Sequence, residues 1–323
     1  MRVDVHAHVI VPELLREPWG PRVRWEDGAQ LVELGGRTIR SAVRDFVDLD
    51  AILAAQDEAG IDHVVLCPWV NLLGHDVPAE EGLERARIQN AGLAALRSER
   101  VSVLGTVPLQ APGLAAAELS ELMGAGFAGV EIAASVAGVP LGDDRLAPFW
   151  AAAEATRALV FVHPTTRGSS GPGFDDHYLW NLVGNPAETT VAAAHLVLSG
   201  VLERHPDLRI LLAHGGGAVL ALRGRLHHGW ANLAAARTRL TEPPAESLRR
   251  FLYDTVVFDP EVLRALVAFA GADRVLLGSD YPFDMADARP AETVAAAGLN
   301  PEDERAVLGG NAARLLGLEA PAR

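Results

Sequence analysis

Short apolar segments alternate with helix-like segments along the whole 323-residue chain. The apolar segments are rich in Val, Leu and Ile and are bounded by Gly, Pro or Asp, as strands buried on both faces are. We predict eight strands, at residues 2–8, 63–68, 101–107, 128–134, 159–164, 209–215, 251–257 and 274–280. Helical patterns cover residues 49–60, 80–98, 113–125, 146–157, 188–205, 260–270, 288–298 and 301–316.

This alternation predicts a parallel sheet, because neighbouring parallel strands need a crossover connection that is usually a helix. Eight strand–helix repeats in a chain of this length fit a (β/α)8 TIM barrel, which is the fold class that we predict. An open doubly wound sheet is the alternative, although no GxGxxG follows the first strand. No change of composition and no linker divides the chain, so we predict one domain over residues 1–323.

Two longer segments interrupt the alternation. Residues 10–48 follow the first strand as a small insertion, and their sequence ELGGRT is typical of a hairpin turn. Residues 165–187 follow the fifth strand as a loop insertion. Barrel enzymes build their active sites at the carboxyl ends of the strands. We therefore expect both insertions to border the functional site.

The composition limits the partners of the chain. A net charge of −14 repels phosphate backbones, so we expect no nucleic acid partner, although a small basic pocket for an anionic substrate stays possible. Cys67 is the single cysteine and has no internal disulfide partner. The sequence shows no signal-peptide pattern and no run of 18 apolar residues. We expect a cytoplasmic protein without a membrane partner.

Histidines and one aspartate occur at the carboxyl ends of several predicted strands. His6 and His8 lie two residues apart in VDVHAHV, so their side chains share one face of the first strand. His163, His214 and Asp280 end the fifth, sixth and eighth strands. One HxH pair is weak evidence, because a strand histidine is usually structural. Strand ends converge in a closed barrel, however, and imidazoles with a carboxylate bind Zn²⁺ or a similar ion. We predict a metal centre.

The sequence as a whole resembles the amidohydrolase superfamily. The motifs that carry this resemblance are DVHAHV, FVHP, LVGNPAETT, LLAHGGG, GRLHHGW and LLGSDYPF, together with GTVPLQAP and GNAARLLGL. They occur in order over nearly the whole chain. They look most like the branch that includes α-amino-β-carboxymuconate-ε-semialdehyde decarboxylase. The resemblance implies a zinc-dependent barrel enzyme that acts on carbon–carbon bonds.

Matching the motifs residue by residue implies roles for the polar residues at the strand ends. His6, His8, His163 and Asp280 match the metal ligands of the branch, and Asp280 also belongs to its catalytic set. His214, in LLAHGGG, matches the catalytic acid/base beside the metal. Zn²⁺ is the ion that we expect, with another divalent ion such as Mn²⁺ as the alternative.

The resemblance also implies how a substrate carboxylate is held. Arg40 matches the arginine of a G-x-x-x-R pattern that binds the carboxylate, and Arg225 matches a second arginine supplied across a homodimer interface. The named decarboxylase has Trp after HP where this chain has Thr165, so the specific substrate stays open. Glu131 and Asp284 are weaker candidates that either order the site or have only structural roles.

Three functions are compatible with these residues. We favour a metal-dependent, non-oxidative decarboxylase of a small unsaturated or aromatic carboxylic acid. The alternative is a hydrolase or hydratase that acts on a small ester, thioester, lactone or unsaturated acid. A metal-binding protein without enzymatic activity is least favoured. The motif VGNPAETT has a structural interpretation, in which Asn185 caps a helix and Pro186 takes its first position.

Overall fold

A computed structural model describes residues 1–27, 29–34, 37–41, 46–165 and 173–318, with the backbone alone for residues 29, 30, 37 and 39–41. The strands, in chain order, are β1 Val3–Val9, β2 Arg22–Glu26, β3 Ala29–Leu34, β4 Arg37–Ser41, β5 His63–Pro68, β6 Val101–Gly105, β7 Gly129–Ala133, β8 Ser135–Val136, β9 Val139–Pro140, β10 Leu159–His163, β11 Arg209–Leu212, β12 Leu252–Asp254 and β13 Val275–Leu276.

The α-helices lie between these strands and after the last one. They are α1 Leu49–Glu58, α2 Ala79–Leu96, α3 Pro112–Gly124, α4 Ala147–Thr156, α5 Asn185–Leu198, α6 Val201–Arg204, α7 Val219–Asn232, α8 Pro244–Leu248, α9 Pro260–Ala270, α10 Pro290–Ala296, α11 Pro301–Arg305 and α12 Asn311–Leu316. None of the helices in the described ranges has the length and apolar character that crossing a bilayer requires.

Eight parallel strands form the barrel, in the order β1–β5–β6–β7–β10–β11–β12–β13. Hydrogen bonds between β1 and the segment that begins at β13 join the two ends of this sheet. Val5 donates its N–H to Leu277 O at 2.9 Å, and His8 donates its N–H to Tyr281 O at 2.7 Å. The predicted (β/α)8 barrel is confirmed, and the open doubly wound sheet is wrong because the first and last strands bond to each other.

The barrel strands are buried on both faces. Apolar side chains from most of the strands fill the interior, and a larger apolar layer separates the strands from the helices. The register of β1 against β5 shifts between Asp4 and Ala7. Such a bulge redirects side chains locally, and here it occurs in the strand that carries His6 and His8. Burial of both strand faces explains the continuous apolar runs in the sequence.

The insertion after β1 contains a three-stranded antiparallel sheet of β2, β3 and β4. Leu34 pairs with Arg37, so the predicted hairpin at ELGGRT is confirmed. The insertion after β10 is described from residue 173 onward and ends in a wide helical turn at Trp180–Gly184 that leads into α5. The prediction that residues 1–323 form one domain stays a prediction.

Several element boundaries differ from the predictions. The strands predicted at 251–257 and 274–280 are much shorter, because the chain leaves the sheet to build the site. The helix predicted at 188–205 is divided into α5 and α6 at Gly200, whose φ is +70°. Helix α7 was not predicted, since its sequence is interrupted by Gly224 and Gly229 and most of its residues are exposed.

Candidate metal centre and active-site cleft

Four buried side chains meet at the carboxyl ends of the barrel strands. His6 and His8 belong to β1, His163 ends β10, and Asp280 follows β13. One nitrogen or oxygen atom from each lies within 4.8 Å of the corresponding atoms of the other three. Asp280 Oδ1 is 3.1 Å from His6 Nε2, 3.4 Å from His8 Nε2 and 4.0 Å from His163 Nε2. The convergence predicted from the strand ends is therefore present.

The outer nitrogens of two of these histidines bond to backbone carbonyls. His8 Nδ1–H donates to Pro68 O at 2.9 Å, and His163 Nδ1–H donates to Pro164 O at 2.9 Å. A carbonyl oxygen accepts hydrogen bonds and donates none, so each Nδ1 carries the proton and each Nε2 carries a lone pair. Both lone pairs are thereby directed to the centre of the cluster.

His6 is oriented by a carboxylate instead. Its Nδ1 lies 2.6 Å from Asp254 Oδ2, and both side chains are fully buried. Asp254 also accepts backbone N–H groups from His214 at 3.0 Å, Gly215 at 2.7 Å and Val256 at 3.1 Å. Asp254 was not among the residues predicted from the sequence, because it lies in the middle of the strand predicted at 251–257, whereas β12 ends at Asp254.

The cluster fits a divalent cation. His163 Nε2 and Asp280 Oδ1 are buried and have no hydrogen-bond partner among the described residues. His6 Nε2 and His8 Nε2 lie 3.1 Å apart, and the bond of His8 Nδ1 to Pro68 O leaves His8 Nε2 as an acceptor. Acceptors at this distance repel each other unless a proton or a metal ion lies between them. Three imidazoles and one carboxylate suit Zn²⁺ and also accept related ions.

The electrostatics of the cluster point to the same conclusion. Burial lowers the pKa of His6, but Asp280 and Asp254 outweigh it and raise that pKa to about 10. Burial and the neighbouring His8 and His214 hold the pKa of His163 well below its usual range. Burial alone raises the pKa of Asp280, yet His6 and its neighbours outweigh this effect and keep that pKa far below normal. Without a cation, the cluster thus holds an ionised Asp280 beside a protonated His6 and a neutral His163, and a bound cation would take the place of the proton on His6.

His214 lies beside the cluster as a fifth polar group. Its Nε2 is 3.3 Å from Asp280 Oδ2, and its Nδ1 has no partner among the described residues. The three glycines that follow it allow the chain to pass close to α5. A Cβ on Gly217, whose φ is +65°, would lie 2.1 Å from Pro186 O. The GGG sequence therefore serves close backbone packing and leaves the imidazole at the mouth of the barrel.

A cleft opens over the cluster of His6, His8, His163 and Asp280. Its base contains His163, His214 and Asp280. Aromatic rings and amides form much of the remaining wall: Phe46, Trp69, Asn71, Tyr178, Trp180, Asn181, Asn185 and Phe283. A second cleft shares His214 and Asp280 with the first and has a more aliphatic wall, which includes Leu182, Pro186, Val256, Val257, Phe258 and Val262.

The structure leaves the predicted arginine roles open. Arg40 pairs with Leu31 across β3 and β4, and its side chain lies outside the described part of the chain. Arg225 is exposed on α7 and lines neither of the two clefts within its own chain. Both roles stay predictions.

The weaker candidates occupy different places. Glu131 is fully buried in β7, its Oε2 is 3.9 Å from His8 Nδ1, and burial raises its pKa well above normal. Asp284 lines the first cleft. Thr165 donates its N–H and its hydroxyl to Glu188 at 2.7 and 2.9 Å. His177 is exposed.

Comparisons with known proteins agree with this geometry. A family model described as amidohydrolase matches residues 3–318. The 2-amino-3-carboxymuconate-6-semialdehyde decarboxylase of Dictyostelium discoideum is 29% identical, over 99% of this chain and 92% of the relative. The crystal structure of 5-carboxyvanillate decarboxylase from Sphingomonas paucimobilis is 25% identical, with a TM-score of 0.82 over 98% of this chain and 99% of that one.

A third comparison shares the fold at lower identity. The dihydroxybenzoic acid decarboxylase of Polaromonas sp. JS666, solved with bound manganese and an inhibitor, is 22% identical. Its TM-score is 0.80, and the alignment covers 99% of this chain and 98% of that one. The fold is thus common to this chain and the two compared structures.

Proposed function

Because the chain belongs to the amidohydrolase family, we propose that it is a metal-dependent, non-oxidative decarboxylase of a small aromatic or unsaturated carboxylic acid. The observation that carries this proposal is the placement of His214 beside the cluster of three histidines and Asp280, at the base of an aromatic cleft. The relatives compared above are named as decarboxylases of acids of this kind.

We propose that His6, His8, His163 and Asp280 hold the metal ion. Zn²⁺ fits the nitrogen-rich donor set, and Mn²⁺ is the alternative because it is bound in the Polaromonas structure. When bound, such an ion supplies positive charge that stabilises negative charge on substrate oxygens.

We propose that His214 donates the proton to the reacting carbon. Asp280 Oδ2 lies 3.3 Å from His214 Nε2 and can only accept, so His214 Nε2–H is the donor of this hydrogen bond. Transfer of that proton to the carbon that bears the carboxylate makes the new C–H bond. The electron pair of the breaking C–C bond then returns to the conjugated system as CO₂ leaves, so the atoms and charges balance.

The aromatic wall orients a planar acid over the cluster. Phe46 packs edge to face with Phe283 at a centroid distance of 5.2 Å and in a tilted arrangement with Trp69 at 5.7 Å, which makes a continuous apolar surface. Trp180 and Tyr178, with centroids 4.6 Å apart, also line the cleft. An apolar cleft also keeps water from the reacting carbon and strengthens the local electrostatics.

We further propose that the active unit is a homodimer in which Arg225 of one chain helps to bind the carboxylate held by Arg40 of the other. Arg225 is exposed on a helix that also exposes Leu222. Leu182, Val183 and Phe258 are each about half exposed, an arrangement that favours a covering subunit. A cytoplasmic location, favoured by the single cysteine, stays a prediction.

The test is CO₂ release by protein reconstituted with Zn²⁺ or Mn²⁺. The panel contains 2,6-dihydroxybenzoate, 5-carboxyvanillate and 2-amino-3-carboxymuconate-6-semialdehyde, each analysed for the decarboxylated product. We expect turnover of at least one acid, and loss of that turnover in metal-depleted protein. Turnover of esters, thioesters or lactones without CO₂ release from any acid would instead favour the hydrolase or hydratase alternative.

A further inference from the structure

One fully buried carboxyl group of β1 does not belong to the cluster of four proposed ligands. Asp4 precedes His6 by two residues in this strand, and none of its surface is exposed to solvent. Burying a carboxyl group costs free energy unless its oxygens are hydrogen-bonded. The partners of Asp4 therefore indicate which parts of the fold this buried group holds together.

Both oxygens of Asp4 accept two hydrogen bonds. Oδ1 accepts the backbone N–H of His6 at 3.0 Å and the backbone N–H of Ser279 at 3.1 Å. Oδ2 accepts the hydroxyl of Ser279 at 2.5 Å and the side-chain amide of Gln56, in α1, at 3.0 Å. One carboxyl group thus contacts a proposed metal ligand, His6, and the residue directly before another, Asp280.

The hydrogen bond from His6 compensates for an irregularity in β1. The register of β1 against β5 shifts between Asp4 and Ala7, and His6 lies inside this bulge. A bulge disrupts the ladder of backbone hydrogen bonds, so strand pairing fixes the residues inside it less firmly. The carboxyl group of Asp4 accepts the N–H of His6 at this point, which fixes the backbone that carries the imidazole.

The hydrogen bonds from Ser279 lie where the two ends of the barrel sheet meet. Ser279 follows β13, and its hydroxyl oxygen also accepts the N–H of Tyr281 at 3.2 Å. Asp280, between these two residues, donates its N–H to His6 O at 2.8 Å. Asp4 and Ser279 therefore join the backbone of His6 to the segment that carries Asp280.

We propose that Asp4 is a positioning residue of the metal centre, which holds the backbones of His6 and Asp280 at the spacing that a shared cation requires. Its role differs from that of Asp254, because Asp254 contacts the ring of His6 and Asp4 contacts the backbone. Groups that orient metal ligands by hydrogen bonds contribute about 10–100-fold to metal affinity. The role of Asp4 rests on the proposed function only through its metal centre.

Two matched substitutions test this role. Ser279→Ala and Gln56→Leu each remove one hydrogen bond to Asp4 Oδ2, but only the bond from Ser279 joins the segment that carries Asp280. We expect Ser279→Ala to lower Zn²⁺ affinity about tenfold in competition with a chelator, and Gln56→Leu to leave it unchanged. Urea unfolding of the metal-free proteins measures the stability that each substitution removes. Affinities that are equal in the two variants would overturn the inference, because a purely structural role affects both.

The visible absorption of bound Co²⁺ reports the arrangement of its ligands independently of affinity. We expect Ser279→Ala to shift the Co²⁺ bands, because the spacing of His6 and Asp280 changes, and Gln56→Leu to give the wild-type spectrum. Identical spectra in wild type and both variants would contradict a positioning role.

Substitution of Asp4 separates hydrogen bonding from charge. Asp4→Asn retains an acceptor for the two backbone N–H groups, and Gln56 Oε1, which has no partner among the described residues, can accept the new amide N–H. We expect Asp4→Asn to bind Zn²⁺ more tightly than Asp4→Ala, which removes every bond. Equal losses in the two variants would contradict positioning by hydrogen bonds. If Asp4→Ala does not fold, the comparison of Ser279→Ala with Gln56→Leu decides.

The same measurements distinguish this role from the proposed reaction. Metal binding that changes in the expected order, without CO₂ release from any acid, supports Asp4 and contradicts the decarboxylase. CO₂ release by a metal-loaded enzyme whose metal affinity is equal in all variants has the opposite meaning. Wild-type protein that binds neither Zn²⁺ nor Co²⁺ would overturn both proposals.

Discussion

The imidazole of His6 donates its Nδ1–H to Asp254 Oδ2 at 2.6 Å, and neither side chain is exposed to solvent. Asp254 itself accepts hydrogen bonds from three backbone N–H groups that follow β11 and β12. Its carboxylate therefore fixes the ring of His6, in β1, relative to the ends of those two strands. The orientation of the His6 ring thus depends on a carboxylate that is 248 residues away in the chain.

Asp254→Asn should weaken metal binding. The amide cannot accept all of the hydrogen bonds that the carboxylate accepts, so His6 loses its fixed tautomer and orientation. We expect a 10–100-fold loss of metal affinity, measured by competition with a chelator. The matched control is Asp207→Asn, an exposed carboxylate, for which affinity should be unchanged. Unaltered affinity in Asp254→Asn would show that the carboxylate does not position His6.

His214→Asn should separate metal binding from turnover. His214 bonds to Asp280 from outside the cluster of four ligands, so the variant should retain the metal at wild-type stoichiometry. Loss of a proton donor should lower kcat by about 10²–10⁴-fold. Metal content is checked by elemental analysis and kcat by CO₂ release. His195→Asn, on the exposed face of α5, should retain full activity. Full activity in His214→Asn would remove its acid/base role.

Mixing two inactive variants tests the composite site. In a two-fold dimer of Arg40→Ala and Arg225→Ala chains, one site carries both substitutions and the other carries neither. Random exchange should therefore restore about a quarter of the wild-type activity. The control mixes wild type with a chain that carries both substitutions, in which each heterodimer site lacks one arginine. Absence of any recovery in a verified heterodimer would contradict a shared site.

Glu188 should make stability depend on pH. Burial raises its pKa from 4.5 to about 7, although hydrogen bonds from Thr165 oppose this shift. Between these values the folded state binds more protons than the unfolded state, so the free energy of unfolding falls as the pH rises. The loss of folding stability that comes from ionising the buried Glu188 is absent below pH 4.5 and complete above about pH 7.

Glu188→Gln removes the ionisable carboxyl group, and with it the loss of stability at rising pH, and keeps an amide that can hydrogen-bond to Thr165. Its free energy of unfolding relative to wild type should increase by on the order of 3 kcal/mol from pH 4.5 to pH 8. Urea unfolding at several pH values measures the difference. Glu261→Gln, on the exposed part of α9, is the control and should show a flat difference. A flat difference for Glu188→Gln would contradict the raised pKa.

The periodicity of the sequence predicted the barrel, because parallel strands that are buried on both faces have continuous apolar sequences. It predicted element boundaries less well where the chain leaves regular structure. The segment predicted as a strand at 274–280 contains only two strand residues, since Asp280 turns into the site with a φ of +63°. Helix α7, which is mostly exposed and interrupted by glycines, lacked the apolar stripe on which helix prediction depends.

Local spacing and family motifs were sufficient to place His6, His8, His163, His214 and Asp280 at one end of a barrel. The sequence by itself determined these ligand types and their strand-end positions, because the alternation of strand and helix segments is visible in short stretches of the chain. Only the tertiary structure decided that Asp254 orients His6. This relationship depends on packing between β1 and the end of β12, which are distant in the sequence, so no local pattern encodes it.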